Sequence, residues 1–132
     1  MAGWSAVRID DVESADGPGD SDWKPLRHHF GIRAFGCNAW ISDHAGQELV
    51  EEHDETDGNG GGQEEIYAIV RGRATFTIDG ETLDAPEGTV VHVADPKLVR
   101  AAVAEEPGTT VVCVGAEPGR AFTPSSWEVR RL

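Results

Sequence analysis

Arg73-Ala74-Thr75-Phe76-Thr77-Ile78-Asp79-Gly80-Glu81-Thr82-Leu83-Asp84 decides the fold class. Ala74, Phe76 and Ile78 alternate with Thr75 and Thr77, the period of two that a half-buried strand requires. Asp79-Gly80 is the dipeptide of a two-residue type I′ turn, and Glu81-Thr82-Leu83 returns as the second strand. Working outward, Pro86-Glu87-Gly88 turns the chain into a strand over 89–94, and Asp95-Pro96 turns it into another over 99–104. Glu106-Pro107-Gly108 then leads into a strand over 109–115. Upstream, 31–41 and 48–55 read as strands, followed by the loop Gly58-Asn59-Gly60-Gly61-Gly62 and a strand over 66–70. The strands after the hairpin are read as successive and antiparallel. No segment keeps a helical period. About eight strands in one small domain predict an all-β protein of two packed sheets or a closed barrel, arrangements that bury an apolar face and limit exposed edges.

The chain has 132 residues, the size of one domain. Its 39% hydrophobic content supplies one core and is too high for a disordered chain. We divide it into an acidic, loosely ordered leader over 1–25 with Trp23 to pin it, a barrel over 26–116, and a C-terminal tail over 117–132 that packs on the barrel or a partner. With 11 basic and 24 acidic residues the formal net charge is −13, a field that repels phosphate backbones and anionic lipid surfaces. Nucleic acid and membrane partners are disfavoured. No apolar run reaches the ~18 residues of a membrane helix, and the first eleven residues lack the basic start and apolar middle of a signal peptide, so a cytoplasmic protein is expected. Cys37 and Cys113 lie in apolar stretches, and two thiols make neither a disulfide framework nor a structural zinc site.

One constellation carries chemical content. On a strand over 48–55, Leu49, Glu51, His53 and Glu55 share a face, because side chains alternate with period two. An imidazole and a carboxylate two residues apart can share a metal ion or a proton if a neighbouring strand brings a third group, and Glu64-Glu65 opens the next strand. Read without further context, the same residues are part of an acidic stretch, and a charge run is usually a solvated face.

The order of these residues resembles the cupin superfamily, whose fold is the double-stranded β-helix or jelly-roll barrel. His53-Asp54-Glu55 matches the family's His-x-His pair with Glu55 at the second histidine, and Glu65, six residues and Gly72 keep the spacing that closes the first motif. Gly88 opens the second motif, Ala94-Asp95-Pro96 takes the Pro-x-Gly positions, and Val99 falls where the histidine belongs. The resemblance covers about 31–115. It implies a metal site at His53, Glu55 and Glu65 in which Glu55 replaces one histidine and the motif-two histidine is missing, holding a divalent ion such as manganese, zinc, iron or nickel weakly. Tyr67 shares the parity of Glu65, Arg100 follows Val99, and His92 lies between two apolar strand faces, so these three are the candidate ligand-binding residues. A small molecule bound in the barrel is the expected function. The alternatives are a metal-dependent isomerase or oxygenase acting on a small polar metabolite, and a protein-interaction module using the leader or the tail. A homodimer is expected, as small cupins commonly pair.

Overall fold

Asp79 and Gly80 stand at φ 51° and 80°, the left-handed pair that a type I′ turn demands. Around them β5 (Arg73–Ile78) and β6 (Glu81–Pro86) pair antiparallel from Ile78 and Glu81 back to Arg73 and Pro86. This hairpin belongs to a computed structural model that describes residues 3–56 and 62–132. The glycine-rich loop read over 58–62 lies, apart from Gly62, outside the described residues.

The other strands are β1 (Asp22–Lys24), β2 (Gly36–Ile41), β3 (Glu48–His53), β4 (Glu64–Arg71), β7 (Val90–Val93), β8 (Arg100–Ala104) and β9 (Thr110–Ala116). They form two antiparallel sheets, ordered β1-β2-β9-β4-β7 and β3-β8-β5-β6. After the hairpin no strand pairs with its chain neighbour. β7 pairs with β4, β8 lies between β3 and β5, and β9 lies between β2 and β4. The chain therefore crosses from sheet to sheet, as a double-stranded β-helix does, and the expected all-β jelly roll is what forms.

Strand alternation places the core. Glu65, Tyr67 and Ile69 of β4 point between the sheets while Ile66 and Val70 point out, and Leu49, Phe76, Val91, Val93 and Val111 close on them from both sides. Gly72 links β4 to β5 at φ +77°, where a Cβ would stand 2.4 Å from Thr109 Oγ1. Only glycine fits that corner.

The leader is more firmly held than its composition suggests. β1 extends the five-stranded sheet through β2, and fully buried Trp23 donates its indole N–H to Asn38 Oδ1 at 2.9 Å. Lys24 Nζ, also buried, donates to the Val12 carbonyl at 2.7 Å, and the Arg71 guanidinium holds both oxygens of Asp10 at 2.8 and 2.9 Å. A few specific hydrogen bonds substitute for a large apolar area. A 3-10 turn over Ile9–Asp11 and two short α-helices, α1 (Leu26–Phe30) and α2 (Ser126–Arg131), lie outside the strands. Trp127 of α2 packs on Trp23 with ring centroids 5.1 Å apart, and buried Glu128 pairs with Arg27. Among the described residues no helix is long and apolar enough to cross a membrane.

Candidate functional site

β2, β3, β4 and β9, the leader and the C-terminal segment line a cavity of about 530 Å³. Trp40, Phe122 and Trp127 supply apolar walls, and His53, Glu55, Glu65 and Tyr67 supply polar groups. The lining is mixed, since Glu48, Asp54, Gln63, Arg130 and Arg131 also face the cavity.

His53 ends β3. Its pairing with β8 carries two register shifts, between Glu48 and Val50 and between Val50 and His53, so Leu49 and Val50 are both buried and simple parity fails along the strand. Glu55 lies in the bend beyond β3, its N–H donating to the Pro96 carbonyl at 2.9 Å. That bond, and not strand alternation, brings the Glu55 carboxylate within 3.4 Å of His53 Nε2. The other ring nitrogen, Nδ1, sits 2.6 Å from the Glu51 carbonyl, an acceptor that assigns the Nδ1 proton and leaves Nε2 to face Glu55. Burial works to lower the His53 pKa, but the Glu55 and Glu51 hydrogen bonds and the charges of Glu55 and Glu65 prevail and raise it.

Glu65 is the buried centre. Its Oε1 accepts the Tyr67 hydroxyl at 2.5 Å and Arg100 Nη1 at 2.8 Å, and its Oε2 accepts the Cys113 thiol at 3.4 Å. The side chain can lie across β9 because position 115 is glycine: a Cβ there would come within 2.8 Å of Glu65 Cγ. Burial first, and then the charge of Glu55, push the Glu65 pKa up to about 7. A carboxylate oxygen of each lies within 4.8 Å of the other, so the charge of Glu55 opposes ionisation of Glu65.

Arg100, the first residue of β8, is fully buried and stands opposite His53 in the β3–β8 register. Paired residues on neighbouring strands face the same side. Val99, aligned to the second-motif histidine from sequence, is instead 44% exposed, so that alignment is corrected by one residue and Arg100 faces the site. The slip arises because the turn over 95–98, closed by the Leu98 N–H donating to the Asp95 carbonyl at 3.2 Å, sets the strand start, and a one-residue shift exchanges the faces. Besides Glu65, Arg100 Nε donates to the Leu98 carbonyl at 2.9 Å and Nη2 to the Asp95 carbonyl at 3.3 Å. It lies behind Glu65 and does not reach the mouth. His92 is placed elsewhere: it pairs with Glu64 at 2.5 Å on the outer face of the five-stranded sheet, while Val91 and Val93 take the inner face. The structure thus brings together His53, Glu55, Glu65, Tyr67 and Arg100 and leaves His92 outside. Cys113, Trp40 and Trp127 join the site from positions that carried no chemical signal in sequence.

His53, Glu55 and Glu65 each offer one ligand atom, all within 4.8 Å of one another, so the chain does contain a His/Glu/Glu group able to approach a metal. The donor set does not fit a tightly held divalent ion. A carboxylate has about four lone-pair sites, and Glu65 commits both on Oε1 and one on Oε2 to Tyr67, Arg100 and Cys113. One imidazole nitrogen remains as the sole nitrogen donor, and a guanidinium stands in the same group.

No protein-family model matches the chain, and no curated protein matches it. Solved structures do. A cupin protein from Bacteroides fragilis superposes with a TM-score of 0.62 over 97% of this chain and 96% of its own, at 18% identity. KdgF from Halomonas sp. gives 0.63 over 89% and 96%, at 19% identity. A sugar phosphate isomerase of the cupin superfamily from Silicibacter pomeroyi gives 0.69 over 91% and 77%, at 16% identity. The chain has the cupin fold.

Proposed function

We propose that this cupin-fold chain binds a small polar molecule in its barrel-mouth cavity, with His53 and Glu55 as the accessible polar contacts and Tyr67 and Glu65 closing the inner end. The observation that carries this reading is the cavity itself: about 530 Å³, with Trp40, Phe122 and Trp127 in its wall and His53, Glu55, Glu65 and Tyr67 converging inside it. Divalent metal is weakly held or not held. A second reading, a metal-dependent isomerase or oxygenase, is favoured by the His/Glu/Glu group and by the likeness to the Silicibacter isomerase, and opposed by the lone-pair count at Glu65. Exposed Ile66, Val70 and Val90 on the outer face of β4 and β7 support a homodimer, and free thiols at Cys37 and Cys113 suit a reducing compartment such as the cytoplasm.

Trp40 and Trp127 line the cavity and report on it. Titrating aldoses, sugar phosphates and hydroxy acids while following tryptophan fluorescence and melting temperature should give at least one saturable response. His53→Ala and Glu55→Ala should weaken that response about tenfold or more. If none of these compounds at millimolar concentration moves either signal, the reading fails.

A further inference from the structure

We infer that Arg100 is the cation of this site: its guanidinium occupies the electrostatic role a divalent ion would have among His53, Glu55 and Glu65, and it sets the site against metal. The position is the first argument. Arg100 is 0% exposed, opposite His53 across the β3–β8 pairing, and on the same strand face as the cluster. Its side chain is also fixed. Nη1 donates to Glu65 Oε1, and Nε and Nη2 donate to the carbonyls of Leu98 and Asp95, so three nitrogens are anchored and the head group has no solvated alternative. Charge balance is the third argument. The guanidinium and the Glu65 carboxylate are both buried and paired at 2.8 Å, so the carboxylate already has its counter-charge. A dication added to that pair would meet a like charge it could not displace, and would have to take Glu65 from Tyr67, Arg100 and Cys113. Arg100 is thus a positioning residue that holds Glu65, and through it Tyr67 and Glu55, in the arrangement seen.

The inference stands whether or not an organic molecule binds, so its test reads metal alone. Calorimetric titration of the purified full chain with manganese, zinc and nickel should show no binding tighter than millimolar. Arg100→Met removes the cation without adding a donor, and Arg100→His also places an imidazole opposite His53. Both should bind more tightly than the wild type, the histidine variant by about a hundredfold. Arg100→Lys keeps the charge and should remain metal-free. Folding of each variant is checked by circular dichroism, and an Arg100→His chain that folds only when zinc is present supports the inference equally. Micromolar metal binding by the wild type overturns it, as do folded Met and His variants that bind no more tightly than the wild type. If the variants stay unfolded with or without metal, the wild-type titration decides.

Discussion

Glu65 carries a heavy electrostatic burden. Its carboxyl is buried against a second carboxyl, and its pKa is raised from 4.5 to about 7 by burial and by Glu55. A group whose pKa is higher folded than unfolded contributes stability that is fully present below the unfolded value and is lost as pH rises through the folded value. The wild type should therefore lose stability between about pH 5 and pH 8. Glu65→Gln, which cannot ionise, should be flatter over the same window. The difference between the two chains should approach about 3 kcal/mol, since each pKa unit corresponds to about 1.4 kcal/mol. Urea unfolding of both chains at four pH values measures it, and parallel profiles would refute the assignment. The residue scale is also where sequence was least informative. Neither the Arg27–Glu128 pair, 101 positions apart, nor the contact of Cys113 with Glu65 leaves a local pattern, because both are products of the barrel's closure.

Among the elements, the C-terminal segment does the most for its length. Trp127 covers Trp23, Phe122 packs against Gly36 where β2 begins, and Glu128 reaches Arg27 on α1, so the segment over 122–128 ties the barrel to the leader and to α1. Breaking a buried ion pair from one side leaves an uncompensated charge and costs about 3 kcal/mol. Glu128→Ala should lower the melting temperature by roughly 10 °C for a domain of this size. Arg27→Met combined with Glu128→Leu should recover much of that loss, since an apolar pair of similar volume leaves no buried charge. Differential scanning calorimetry of the three chains checks both statements; equal melting temperatures would mean that α2 rides passively on the barrel. How far each element was legible follows from its length and regularity. The β5–β6 hairpin could be read residue by residue because Asp79-Gly80 fixes both turn and register. β3 could be placed but its faces could not, since two bulges put Leu49 and Val50 on the same side. β1, three residues long, has no period to detect and exists because Trp23 finds Asn38.

At the scale of the whole molecule the formal net charge of −13 is the dominant long-range fact. Exposed ion pairs partly answer it: Arg71 with Asp10, and Arg73 with Asp84. Such pairs contribute about 0–1 kcal/mol each and weaken with salt. The unanswered carboxylates repel one another over the full width of the domain, and that repulsion opposes the compact state. The two effects respond oppositely to ionic strength. Raising sodium chloride from 10 to 150 mM shortens the Debye length from about 30 Å to about 8 Å, which screens distant repulsion almost completely while acting less on partners in contact. Because the chain has more than twice as many acidic as basic side chains, repulsion should prevail, and the melting temperature should rise by a few degrees over that range. Arg71→Gln removes one pair and one positive charge together, so it should steepen the rise. A melting temperature that falls with salt would show that the local pairs outweigh the net field, and would shift attention from the acidic surface to the individual contacts that hold the leader to the barrel.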